Sequence, residues 1–320
     1  MIIKPLKIGN VTVKNNVFFA PLAGFSDASM RKICLKAGAG LAFTEMVSGK
    51  GLKYTPSASG ELLFSYDDET VKAVQIFGSD VSVMKWVASS SHLENFDIID
   101  INMGCPVPKI YNNGEGSALL NDLDLASKII KAVKSSGKAV TVKFRTGVTE
   151  NKLVTRDFAV MCEQSGADLI TVHGRTRSAY YQGEVNFKEI ESAKNAVSIP
   201  VIANGGIFSK YDADVLMDKT GADGVMVARG ALENPMIFAD ILGIKQNFTI
   251  VDLIKEQTSL IKERYGDNRG AVIFRKQASY YLKGVKGSKR LKELVFASTS
   301  IDEVCSILTS ALSKHLFYEF

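Results

Sequence analysis

The chain has 320 residues, 46% of them apolar, a formal net charge of +5 and four cysteines. An apolar share of that size supports a large core. No apolar run is long enough to span a bilayer, and "MIIKPLKIGNVTVKNN" lacks the basic and apolar regions of a secretion signal. Cys34, Cys105, Cys162 and Cys305 are scattered, with no CxxC pair or Cys/His cluster. A metal site or disulfide framework is therefore not expected, and a reducing cytoplasm is.

The first residues, "IIKPLKIGNVTVKN", read as a β-hairpin turning at Gly9-Asn10. Short β-rich runs then recur at 17–20, 41–45, 72–77, 97–102, 139–144, 168–172, 199–203 and 223–228. Helix-period segments lie between several of them. The clearest is "DLASKIIKAVKSSG", with Leu125, Ile129 and Val133 on one face and Gly137 just past its end. Alternating strands and crossover helices imply a parallel sheet. Eight units between residue 17 and about 240 suit an α/β fold of the closed (β/α)₈ TIM-barrel type better than an open doubly wound sheet. The hairpin is expected to plug the barrel's N-terminal mouth. No GxGxxG lies between a strand and a helix, which argues against a Rossmann domain.

After about residue 245 the strand signal stops. "VDLIKEQTSLIKERYG", "AVIFRKQASYYLKG" and "IDEVCSILTSALSKHLF" are helical, and Ser300 with Glu303 forms a capping-box pattern. The expected division is a TIM-barrel catalytic domain at 1–245 and a small all-α domain at 246–320. From residue 246 onward there are twelve Lys/Arg and eight Asp/Glu, a balance of +4, which leaves +1 for the rest. Between Arg269 and Lys292 eight basic residues occur with no acidic one. That asymmetry points to a polyanionic partner.

The strands end in polar, glycine-rich turns: "PLAG", "TEM", "QIFG", "NMGCP", "KFRTG", "HGRTR", "NGG" and "ARG". In a barrel all eight ends share one rim, where active sites lie. The loops after the last two strands, with Gly205, Gly206, Gly230 and Arg229, fit a phosphate site built from backbone N–H groups. Either loop alone is equally an ordinary βα turn. Lys143 and His173 end adjacent strands and can face a bound nucleotide cofactor, Lys143 stabilising negative charge on a reduced flavin ring. Gln75 can read an amide edge of that ring, and Pro21-Leu22-Ala23 can lie along it. Cys105 stands just past a strand end, between Gly104 and Pro106, unlike a cysteine that merely fills a core. It can act as a nucleophile if a base approaches, or as an acid, since an unperturbed thiol of pKa ~8.5 is mostly protonated at neutral pH.

The stretches "APLAGFSDASMRKICLKAGAGLAFTEM", "VQIFGSD", "DIIDINMGCPVPKIYNNGEGSALL", "TVKFRTG", "TVHGRTR", "IPVIANGGI", "GADGVMVARGALENP" and "FRKQASYYLKG" resemble the tRNA-dihydrouridine synthases, specifically their bacterial B-type branch. The resemblance implies an FMN-bound barrel, a helical domain holding tRNA, and NADPH as electron donor. It implies that reduced flavin gives hydride to C6 of a uracil while a cysteine protonates C5. By position, Cys105 is that proton donor. Pro21, Leu22, Ala23, Gln75, Lys143, His173, Asn204, Gly205, Gly206, Ala228 and Arg229 are the FMN contacts, with Gly230 beside them, and Asn102 contacts the uracil. Ala228 stands where the family often has glycine, and Asn204 precedes Gly-Gly where some relatives have Gly-Asp. In the tail, Phe274, Ala278 and Tyr281 fall on one helical face. Arg275, Lys276 and Lys283 are expected on another, gripping tRNA phosphates. No membrane, metal or obligate protein partner is expected. Two alternatives stand beside this reading: a dihydroorotate-type FMN barrel dehydrogenase, and an RNA-binding barrel keeping FMN without catalysis.

Overall fold

The structure, a computed structural model, describes residues 2–316. Eight parallel strands close into a barrel: β1 (Val17–Phe19), β2 (Leu41–Ser48), β3 (Ala73–Phe77), β4 (Ile98–Met103), β5 (Ala139–Arg145), β6 (Leu169–His173), β7 (Val201–Asn204) and β8 (Gly224–Val227). β8 pairs with β1 through Val225–Val17 and Val227–Phe19, which closes the ring. All eight runs expected from the sequence become strands, in chain order around the ring.

The barrel interior changes character along its axis. Because side chains alternate faces along a strand, β4 sends Ile98, Asp100 and Asn102 one way and Ile99, Ile101 and Met103 the other, the latter three packing with the crossover helices. Lower inward positions are apolar: Phe18, Phe43, Ala73, Ile98, Ala139, Leu169, Ile202 and Met226 form one cluster. The antiparallel hairpin Leu6–Ile8/Val11–Val13 adds Leu6, Ile8 and Val13 to that cluster and so covers the N-terminal mouth, as expected. Higher inward positions are polar: Gln75, Asp100, Asn102, Thr141, Thr171, His173 and Asn204 are all buried.

The crossover helix Leu123–Lys134 buries Ala126, Ile129, Ile130 and Val133, while Leu125 is only half-buried. Four tail helices, Ile250–Tyr265, Asp267–Tyr281, Ser288–Ala297 and Ile301–Leu316, share a core that includes Ile254, Ile261, Phe274, Ala278, Tyr281, Val295, Ile301 and Leu308. A capping box of Thr249 and Asp252 starts the first. At the last, Ser300 Oγ accepts the Glu303 N–H, but the Glu303 carboxylate takes the Ser298 hydroxyl instead of completing the expected box.

The tail is seated on the barrel by polar and aromatic contacts. Tyr281 Oη meets the Met30 sulfur of the first barrel helix at 3.8 Å, and Gln277 Nε2 donates to the Leu232 carbonyl at 3.0 Å. Phe25, in the turn after β1, meets Tyr280 edge-on at 5.3 Å between centroids. Among the described residues no helix is long and apolar enough to cross a membrane.

Candidate active site

At the carboxyl end of the barrel a cavity of about 470 Å³ opens, within the ~300–1,000 Å³ range of small-molecule sites. Pro21, Leu22 and Ala23 line it from β1, Gln75 from β3, and Asn102 and Cys105 from β4. Lys143 enters from β5, His173 from β6, Asn204, Gly205 and Gly206 from β7, and Ala228 and Arg229 from β8. The barrel therefore brings together every barrel residue singled out in the sequence except Gly230. That glycine lies behind the wall, where a Cβ would come within 2.3 Å of the Ile207 carbonyl oxygen. It lets the Arg229–Glu233 helix start close against the loop after β7.

The electrostatics are one-sided. Lys143, Arg145, Arg175 and Arg229 line the cavity, and among the described residues no acidic one does. Lys143 Nζ donates to Asn204 Oδ1 at 3.0 Å; burial and the neighbouring Arg145 bring the ammonium down to about 8. Burial, then Arg145, Lys143, Arg175 and Arg229, hold His173 well below the usual imidazole range. His173 is thus neutral at physiological pH. Its Nε2 faces a guanidinium N–H of Arg175 at 3.5 Å, so it is placed to accept while Nδ1 carries the proton.

Cys105 is 9% exposed. Its turn is held from three sides. Asn102 Oδ1 accepts the Gly104 and Cys105 N–H groups at 3.1 and 2.9 Å. Arg145 Nε donates to the Gly104 carbonyl at 2.8 Å, and Ser117 Oγ to the Cys105 carbonyl at 2.7 Å. Gly116, at φ +60°, lets the following turn sit against the cysteine; a side chain there would meet Cys105 Cβ at 3.0 Å. Burial pushes the Cys105 thiol up, opposed by the Val107 N–H and the charges of Arg145 and Lys143. The group is therefore a protonated thiol at neutral pH, suited to giving a proton rather than attacking as thiolate.

The residues present fit a phosphate-bearing cofactor. Gly205 and Gly206 have φ of +130° and +71°. A Cβ at Gly205 would press on Val185 at 3.1 Å and His173 at 3.2 Å, so the backbone turn leaves a cradle only glycine allows. Cationic Arg175 and Arg229 flank it, as a phosphate requires.

The dihydrouridine synthase family model matches residues 18–316, from the first barrel strand through the last tail helix. The chain belongs to the dihydrouridine synthase family. It is 36% identical over 308 residues to the tRNA-dihydrouridine synthase B of Pasteurella multocida, covering 93% of each chain. It is 38% identical over 289 residues to that of Vibrio parahaemolyticus, covering 87% of this chain and 89% of the other. A probable tRNA-dihydrouridine synthase of Rickettsia conorii is 35% identical over 330 residues, covering 98% and 100%. Among solved structures, morphinone reductase superposes with a TM-score of 0.56 at 14% identity, covering 76% of this chain and 90% of the other. That likeness concerns the barrel fold.

Several lining residues of this dihydrouridine synthase family member look, in the sequence, like mere parts of turns. Arg145 donates to the carbonyls of Thr176 and Tyr180, at 2.9 and 2.7 Å, besides Gly104. Arg175 ties down the Gln182 and Gly183 carbonyls. Tyr181 lies between two guanidiniums, 5.0 Å from Arg229 and 5.6 Å from Arg145. The strands' "KFRTG" and "HGRTR" endings carry the arginines in plain view; nothing local marks Tyr181 or Tyr280.

The tail cations separate. Lys276 is exposed and borders a second cleft between tail and barrel. Lys283 is exposed and pairs with Glu233 at 2.6 Å. Arg275 does not share their face. It follows Ala271 by four residues and precedes Ala278 by three, both buried, so it sits on the inward stripe. Its guanidinium donates to the Ser298 carbonyl at 2.8 Å, and its Nε is buried. Arg275 is therefore half-buried, with part of its guanidinium engaged inside the helical bundle rather than turned out beside Lys276.

Proposed function

We propose that this chain reduces uridines in tRNA to 5,6-dihydrouridine, with the 1–245 barrel as the catalytic unit and the 246–320 helices as the tRNA-holding unit. The observation that carries the proposal is the cavity's lining: four cations, no acid, and a protonated thiol in one chamber. Family membership supports the same reaction. The chamber's polarity suits a phosphate-bearing cofactor and an electron-rich ring that becomes negative on reduction.

Bound there, FMN reduced by NADPH supplies hydride for C6 of the uracil. Pro21, Leu22 and Ala23 form one wall for its ring, and Gln75 and Ala228 border it. Lys143, held by Asn204, places positive charge where the ring gains electrons. Gly205, Gly206, Arg175 and Arg229 would hold the phosphate, and neutral His173 would offer a hydrogen bond to the same cofactor.

Asn102 has both amide ends engaged within the protein: Oδ1 holds the Cys105 turn, and Nδ2 donates one hydrogen to Gln75 Oε1 at 2.8 Å. Its other Nδ2 hydrogen meets only the Met46 sulfur, at 3.6 Å, a weak acceptor that a base carbonyl would displace. Cys105 gives its proton to C5. The sulfur left behind is stabilised by the Val107 N–H, Arg145 and Lys143.

The test is direct. Purified protein reconstituted with FMN is given NADPH and unmodified tRNA transcript, and dihydrouridine is quantified by nucleoside mass spectrometry. Product from tRNA but not from free uridine or dihydroorotate supports the reading. Reduction of the bound flavin with no dihydrouridine formed overturns it.

A further inference from the structure

Asp100 takes no part in the chemistry above. It is 1% exposed, in the barrel's middle layer, beneath the cavity and absent from its lining. Its Oδ1 accepts the Thr141 hydroxyl and its Oδ2 the Gln75 Nε2 amino group, both at 2.6 Å. Gln75 Oε1 in turn accepts Asn102 Nδ2 at 2.8 Å, and Asn102 Oδ1 accepts the Gly104 and Cys105 N–H groups. We propose that Asp100 is a positioning residue for Cys105, the buried terminus of a one-way relay through Gln75 and Asn102.

An amide side chain has a donor end and an acceptor end of nearly the same shape, so only its partners decide which way it points. Here both ends of the relay dictate the same direction. The backbone N–H groups of the turn can only donate, which turns the Asn102 oxygen toward them. The Asp100 oxygen facing Gln75 accepts, which turns the Gln75 nitrogen down toward it. A proton on Asp100 does not reverse this, because it can sit on Oδ1 and be accepted by the Thr141 hydroxyl. Without an acceptor at position 100, the Gln75 amino group is buried with no partner, an expensive state that rotation of Gln75 relieves. That rotation withdraws the acceptor from Asn102 and releases the N–H side of the turn, leaving the turn held only at the carbonyls by Arg145 and Ser117.

The experiment uses FMN-loaded protein and measures the rate at which iodoacetamide alkylates Cys105, read on the Cys105 peptide by mass spectrometry. Asp100→Leu removes the acceptor while keeping the branched shape at Cγ. Its Cys105 labelling rises about fivefold or more, a scale set by losing one such constraint, and kcat on tRNA falls with KM for tRNA unchanged. Asp100→Asn keeps an oxygen toward Gln75 and turns its amino group to Thr141, so it labels as the wild type does. Gln75→Leu breaks the relay at its middle and reproduces the Asp100→Leu labelling, which keeps the test decisive should the buried leucine at 100 prevent folding. Folded Leu variants that label at the wild-type rate overturn the proposal. So does an Asp100→Asn variant that labels as fast as Asp100→Leu, since charge rather than relay direction would then be responsible. The turnover arm rests on the proposed function; the labelling arm does not. A wild type unable to reduce tRNA refutes that reading and leaves the relay to be judged by labelling.

Discussion

Lys143 and Asn204 meet across the top of the barrel, Nζ to Oδ1 at 3.0 Å, although β6 lies between their strands. The bond aims an ammonium that burial has brought down to about 8 into a chamber with no acidic lining. Lys143→Ala is expected to weaken FMN binding or slow its reduction by NADPH. In the wild type the lysine is charged below about pH 8, so reduction should slow as pH rises through that value, and the alanine variant should lack this step. Stopped-flow bleaching of the flavin on either side of that pH measures both.

Cys105→Ala should leave FMN bound and reducible while slowing uracil reduction by about 10²–10⁴-fold, the usual worth of a general acid. Single-turnover formation of dihydrouridine from pre-reduced enzyme isolates the step. A wild-type rate in that variant would place the proton donor elsewhere.

The flavin released by heat should run as FMN and not FAD on chromatography. The cavity offers one phosphate cradle, at Gly205-Gly206.

Burial pushes the Asp100 carboxyl up to about 7, against the opposing pull of Thr141, Gln75 and Lys143. Its folded value lies above its ordinary one of 3.8, so the native state holds the proton more tightly. Stability from this group is complete at low pH and declines as pH climbs from about 4 to 7. Asp100→Asn removes that dependence. In the cofactor-free protein the variant should gain on the wild type between about pH 5 and 7.5, by up to a few kcal/mol. Urea denaturation at both pH values checks the sign; a gap that narrows with rising pH would contradict it.

The tail predictions divide by residue. Lys276→Ala and Lys283→Ala should each weaken tRNA binding and lower the slope of log K against log salt by ~0.7–0.9 for each phosphate no longer neutralised. Arg275→Ala should instead lower the melting temperature by releasing the Ser298 carbonyl from its partner, with the salt slope unchanged. Filter binding across a salt series, paired with thermal melts, separates the two behaviours.

The strands are legible in the sequence because each is a short apolar run cut off by a glycine-bearing polar turn, a pattern that survives without tertiary knowledge. The lining residues at strand ends follow from that frame. Asp100 is not legible: inside "DIIDIN" it reads as one polar residue in an apolar wall. Only the closed ring shows that its side of β4 meets Thr141 and Gln75 in a buried layer. Arg275 looks exposed when Phe274, Ala278 and Tyr281 alone define the buried face of its helix. Packing on both the barrel and the other tail helices also buries Ala271 and Leu282, which widens that face. Tyr181 and Tyr280 reach the cavity through chain folding that no local spacing records.

Tyr280 comes from the tail, yet its ring lines the cavity and rests on Phe25 of the barrel. Lys276 lies one helical turn before it and Lys283 just beyond it. Anchor and reaction chamber are thus cast in one piece, with no hinge between Lys276 and Tyr280 within their shared helix. On the proposed grip by those lysines, an RNA would offer the thiol only a nucleotide lying at one set span from it. The selection of which uridine is reduced would then be a matter of measured reach, as with a caliper, and lengthening or shortening that arm would move the modified position along the tRNA.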